Sequence, residues 1–228
     1  MREKGIFLKV SLMAFIPSLL AMVLYIFLGK IQNYIPSLLL FLICVGLILF
    51  PFEIYIIYKN KGNLLSKSKI KWWQLVLIVG VLFGITGLMT ILITPLEHAI
   101  LSDVIDKTPA YFNWNSDDLS NYSNAMIIIT CVLYFLLNVI IYPIIEELFF
   151  RGVLTNKLKA YGYLAPVFVT VVFSLYHFWL PFDNLFRITA FILPSLLAYK
   201  HHDIRITIGF HCVCNLFSTI SFIMAVNL

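Results

Sequence analysis

Residues 125–151 read AMIIITCVLYFLLNVIIYPIIEELFFR, and the fold turns on how that stretch is taken. From Ala125 to Ile145 it carries no formal charge. About 20 consecutive apolar residues suffice to cross a bilayer as a helix. Two adjacent carboxylates, Glu146 and Glu147, follow, and then an arginine, Arg151. A charge at the bilayer centre costs at least about 2.5–3.5 kcal/mol, and those that persist there face a cavity or a partner. The stretch reads as a membrane helix carrying a candidate functional site.

Similar apolar runs lie on either side of it. They cover Val10–Gly29, Ser37–Tyr58, Trp73–Pro95 and Leu164–Leu180, with a shorter run at Ile188–Tyr199 and a last one at Ile204–Leu228. At 61% hydrophobic and 12% charged residues, the composition excludes a soluble globular domain. The expected fold is all-α, a polytopic transmembrane bundle of about seven helices (six to eight). The outer loop from Leu96 to Asn124 divides it into N-terminal helices, residues 1–124, and a helical core, residues 125–222.

The net charge of +5 is distributed by topology. Arg2, Lys4 and Lys9 precede the first helix, and Lys59, Lys61, Lys67, Lys69 and Lys71 follow the second. Arg151, Lys157 and Lys159 follow the fourth, and Lys200 and Arg205 the sixth. Only Lys30, Lys107 and Arg187 fall on the other side, with the acidic loop that holds Asp103, Asp106, Asp117 and Asp118. The positive-inside rule puts the N-terminus in the cytoplasm. Charge spread this way argues against a nucleic-acid partner; the partner it implies is the lipid bilayer, and the location a multi-pass cell-membrane protein. The first apolar run is longer than a signal-peptide core and lacks a small-x-small cleavage site, so it is read as retained. Cys44, Cys131, Cys212 and Cys214 sit inside apolar runs and read as small hydrophobes. Glu53, Glu97 and His98 are expected at helix ends in the interface.

Three polar pairs share a spacing of four: Glu147 with Arg151, Phe173 with His177, and His211 with Asn215. That spacing puts each pair on one helix face. Glu146 precedes the turn around Lys159–Gly162 by about as many residues as His177 follows it, some 20–25 Å at about 1.5 Å per residue. An antiparallel pair would hold the carboxylate and imidazole at one level; His211 joins them only if its helix starts deeper. A carboxylate in such a place can take a proton from water, with the imidazole sharing that water. His211 and Asn215 could donate to a developing oxyanion. Arg151 suits neutralising Glu147. The same residues also read as a zinc site, with Glu146, His177 and His211 as ligands and an open water position. No His-Glu-x-x-His motif is present, and spacing does not separate the two readings.

Glu-Glu-x-x-x-Arg, Phe-x-x-x-His and His-x-x-x-Asn, in this order on successive helices, resemble the CPBP intramembrane proteases, which include Rce1-type CAAX prenyl endoproteases and bacterial Abi proteins. The resemblance covers about residues 125–222. It implies an endopeptidase in which Glu146 activates water with His177 beside it, His211 and Asn215 line the oxyanion side, and Glu147, Arg151 and Phe173 support the site. Asn is a poor metal ligand and a good oxyanion donor, so no metal cofactor is favoured, with zinc as the alternative. The implied substrate is a membrane-associated peptide or protein cut near the cytoplasmic side. An Ile-, Lys- and Asn-rich chain suggests a bacterial plasma membrane. The competing readings are a non-catalytic bacteriocin-immunity or scaffold protein, and a small transporter, disfavoured for want of internal repeats.

Overall fold

The computed structural model describes residues 5–29, 34–60, 69–105, 107, 119 and 121–226. Arg2, Lys4, Lys30, Lys61, Lys67, Asp106, Asp117 and Asp118, used above to read topology, lie outside the described residues. The described residues form seven principal helices. They are α1 (Ile6–Phe27), α2 (Ser37–Asn60), α3 (Trp72–Ile105), α4 (Asn124–Lys157), α5 (Leu164–Leu175), α6 (Asn184–His201) and α7 (Arg205–Met224). Five of them, α1, α2, α3, α4 and α7, are long and apolar enough to cross a membrane. The fold is the expected all-helical polytopic bundle.

Lipid, not water, explains the outer surface. Leu88, Ile91 and Leu92 of α3 are 65%, 70% and 73% exposed, and Trp73, Val76 and Leu77 are exposed with them. In water such a face would be an aggregation or docking surface; against hydrocarbon it is the solvated side. Inside, α1 packs on α2, α2 on α4, and α4 on α7 and α5, while α6 lies against α5, α3 and α7. The centre is aromatic. Phe149, Phe150 and Tyr176 are fully buried, and the Phe150 ring lies 5.1 Å from Phe173 and 4.8 Å from Tyr176.

The basic helix ends gather at one end of the bundle. Phe7 at the start of α1 stacks edge-on against Tyr161 after α4, at 4.6 Å. Asn60 ends α2 beside Asn156, Lys157 and Lys159. Arg205, at the start of α7, chelates Asp203 at 2.9 and 2.7 Å and donates to the Ile70 carbonyl before α3 at 2.9 Å. The expected turn between α4 and α5 is a single 3₁₀ turn, Lys159–Tyr161, closed by Gly162 at φ 59°, ψ −136°. A side chain would strain that backbone.

Two elements depart from regular α-helix, and both build the site. α4 contains two π-helical stretches, Phe135–Ile141 and Leu148–Leu154, around Tyr142–Glu147. Pro143 accounts for the first. In π register the Tyr142 amide bonds the Leu137 carbonyl. The next bond would run from residue 143 to Asn138, and proline has no N–H to make it. α5 was expected to run to Leu180 but stops at Leu175, after which Tyr176–Leu180 is irregular and a 3₁₀ turn, Pro181–Asp183, leads into α6. Irregular backbone at membrane depth is tolerated only where protein or a cavity meets its polar groups. The Ser18 hydroxyl of α1 donates to the Tyr176 carbonyl, and the Leu180 amide donates to the His177 carbonyl at 2.9 Å.

Two expectations for the N-terminal helices need correction. Glu53 does not lie in the interface: it is fully buried on α2, and neither carboxylate oxygen is hydrogen-bonded among the described residues. Glu97 is also buried, and caps α6 by accepting the Leu185 and Phe186 amides at 2.8 and 2.9 Å. Helix N-termini carry unpaired amides and partial positive charge, which a carboxylate satisfies. Beside it, His98 is half exposed and faces Asp183 at 3.7 Å.

Candidate active site

α4 delivers Glu146, Glu147 and Arg151, which are 6%, 0% and 7% exposed. The two carboxylates have different surroundings. Glu147 accepts from Arg151 Nη1 at 3.1 Å, and Arg151 Nε donates to Ser195 Oγ of α6 at 3.2 Å. Ser195 in turn accepts from Thr170 of α5 at 3.0 Å. The Arg151 guanidinium also sits over the Phe173 and Phe191 rings, at 4.2 and 5.2 Å. That chain ties α4, α5 and α6 together behind the cavity.

Glu147 has a second partner, which spacing did not reveal. His211 Nδ1 of α7 lies 3.0 Å from Glu147 Oε1. An ionised carboxylate only accepts, so Nδ1 carries a hydrogen and the ring is fixed with Nε2 turned the other way. Nε2 lies 3.8 Å from Glu146 Oε2. The other Glu146 oxygen accepts the Tyr176 hydroxyl. His211 therefore stands between the two carboxylates.

His177 Nδ1 lies 2.7 Å from the Phe173 carbonyl, which also only accepts, so Nε2 is the ring's acceptor. Phe173 packs edge-on against His177 at 5.0 Å and His211 at 5.6 Å. Asn215 Nδ2 donates to the Asn138 carbonyl at 2.9 Å, and the Asn138 amide donates to Thr219 Oγ1 at 2.9 Å. The Asn138 carbonyl is the one that Pro143 leaves without an amide. Asn215 fills that vacancy with its side-chain amide, which also reaches Asn138 Oδ1 at 3.5 Å.

Glu146, His177, His211 and Asn215 all line one cavity of about 630 Å³. The apolar walls come mainly from α2, α3, α6 and α7, including Phe41, Phe83, Phe186 and Phe217. The N-terminal helices thus build the site as well as the C-terminal core. The lining reaches Leu38, Thr94 and Asp183, toward the helix ends opposite the basic cluster. Cleavage near the cytoplasmic side was expected; the cavity lining extends toward the ends opposite the cationic cluster.

Every sequence-derived candidate takes part in this arrangement, but the pairing differs. Glu146 was expected to face His177; the groups that reach its oxygens are Tyr176 and His211. Tyr176, Asn138, Thr170 and Ser195 were missed. Tyr176 adjoins His177, but no spacing rule points a tyrosine 30 residues away at a carboxylate. For the zinc reading, the described residues hold no group of three His, Cys, Asp or Glu side chains arranged to bind a metal ion. Both Nδ1 atoms are committed to oxygen acceptors, and both Nε2 atoms stay available.

Fold and site together define a multi-pass helical membrane protein with a buried carboxylate–histidine centre on a membrane-depth cavity. Residues 128–217 match the family described as type II CAAX prenyl endopeptidase Rce1-like, in line with the resemblance to the CPBP proteases. The matched segment contains all seven candidate residues from Glu146 to Asn215. No curated protein and no solved structure matches the chain.

Proposed function

We propose that this protein is an intramembrane endopeptidase of a bacterial plasma membrane that hydrolyses a peptide bond in a membrane-associated peptide or protein, with Glu146 as the base. The observation that carries this reading is the position of Glu146 on the cavity wall, held through one oxygen by Tyr176 and facing His211 with the other. Glu146 takes a proton from a water shared with His177 Nε2, and the water oxygen attacks the scissile carbonyl carbon. The carbonyl electron pair moves to oxygen. His211 and the Asn215 amide stabilise that oxyanion; a donor so placed is worth about 2.7–4 kcal/mol of barrier. The C–N bond then breaks as the proton held by Glu146 passes to the leaving amine. Glu147 and Arg151 hold His211 in register, and Tyr176 orients Glu146.

The test is peptide cleavage by purified protein in lipid. Wild type should cut, while Glu146→Ala and His177→Ala should lose about 10²–10⁴-fold in rate, the usual worth of a positioned proton-transfer group. Equal cleavage by wild type and both variants would falsify the assignment. Metal-stripped protein should retain its activity in the presence of a chelator, because the route above needs none.

A further inference from the structure

Arg187 is the only Lys or Arg among the described residues that line the catalytic cavity. It sits in the first turn of α6, where the partial positive charge of a helix start disfavours a cation. Its guanidinium bonds neutral acceptors alone, and at long range. Nη1 reaches the Ser174 carbonyl at 3.3 Å and Asn184 Oδ1 at 3.4 Å, and Nη2 reaches the Leu180 carbonyl at 3.4 Å. Of the acids near it, Glu97 accepts from the α6 amides and Asp183 faces His98. No ion pair forms with Arg187 among the described residues.

Asp183, Glu146 and Glu97 act on Arg187 only from beyond ion-pair distance, and a cation facing an apolar-walled cavity with no counter-ion in contact is costly unless a ligand supplies one. The planar fork of a guanidinium matches a carboxylate through two parallel hydrogen bonds. The cavity that Arg187 faces is the one that holds Glu146, His177, His211 and Asn215, so an anion seated there belongs to the molecule being hydrolysed. Walls such as Phe83 and Phe186 call for apolar residues around it. We propose that Arg187 is a specificity-determining residue that takes a carboxylate of the peptide substrate, on an otherwise apolar segment beside the scissile bond. This rests on the endopeptidase reading above. The carboxylate can be a chain terminus or an Asp or Glu side chain.

The experiment compares full-length wild type, Arg187→Gln and Arg187→Lys in phosphatidylcholine nanodiscs. The probe is a short apolar quenched-fluorescent peptide library in three forms: with a C-terminal carboxylate, with a C-terminal carboxamide, and with a carboxamide plus one internal glutamate. Wild type should favour at least one carboxylate form over the plain carboxamide by about tenfold in kcat/KM, the scale of one charge-assisted hydrogen bond. Whichever form is favoured identifies the source. Arg187→Gln should reduce that ratio to under about twofold, and Arg187→Lys should restore part of it, since lysine keeps the charge without the fork. A structural role at the end of α5 would lower all three forms equally and leave the ratio alone; that outcome, or equal cleavage of the three forms by wild type, overturns the proposal. So does relief by Arg187→Gln of an inhibition caused by phosphatidylglycerol, which would assign the anion to lipid. If wild type cuts nothing, the endopeptidase reading fails separately. Binding of the same peptides to Glu146→Gln protein, with and without Arg187→Gln, then decides the carboxylate preference without turnover.

Discussion

Glu146 and Glu147 are neighbours in sequence and opposites in environment. Glu147 is neutralised by Arg151 and bonded by His211, so removing one partner strands a buried charge. Arg151→Met should lower stability by about 3–5 kcal/mol, as for other broken buried ion pairs, measured by thermal unfolding in lipid. Arg151→Met with Glu147→Leu should recover part of that loss. Tyr176→Phe removes the hydroxyl that holds Glu146 and should lower kcat while leaving KM nearly unchanged. Glu53 presents the reverse case. Its carboxyl is fully buried with no hydrogen-bond partner among the described residues, so an apolar residue of similar shape should be better tolerated. Glu53→Met is expected to stabilise the protein by about 1–3 kcal/mol in the same unfolding assay.

At the scale of elements, the site depends on two interruptions. Pro143 interrupts α4, and the carbonyl it frees on Asn138 anchors Asn215 of α7. The two residues should therefore be energetically coupled. Asn215→Ala alone loses an interhelical hydrogen bond, worth about 0.6 kcal/mol within membranes. In a Pro143→Ala background the backbone can supply the missing amide, and the same substitution should cost less. Double-mutant unfolding measures the difference. The early end of α5 is the second interruption, since it brings Tyr176 and His177 into the cavity instead of continuing a helical face. α6 starts just beyond it, held by Glu97 across from α3. Glu97→Ala removes a cap on two amides and should cost about 0.5–2 kcal/mol.

For the whole molecule, the basic ends and the cavity point in opposite directions. The orientation we propose, from the positive-inside rule, puts the end near Lys157, Lys159 and Arg205 in the cytoplasm. The cavity then extends toward the outer leaflet, through Thr94 and Asp183. In a variant without native cysteines, Thr94→Cys and Asp183→Cys should react with an impermeant thiol reagent added outside intact cells, while Lys159→Cys should not. The reverse pattern would invert the topology and place cleavage on the cytoplasmic side.

The amino-acid sequence alone determined the class of fold, because a bilayer needs long apolar helices and that requirement is written in composition and run length. It also singled out Glu146, His177, His211 and Asn215, since a polar side chain in such a run has to have a use. Spacing of four showed Glu147 with Arg151, because that contact is made within one helix. Only the tertiary structure decided that Glu146 meets Tyr176 and His211, that Glu147 holds His211, and that Asn215 completes the backbone of another helix. Those contacts cross between helices, and their register is set by π-helical turns and a broken helix end that no local period records. Glu53 and Glu97 show the same limit: a carboxylate near a helix end reads as interfacial until packing buries it.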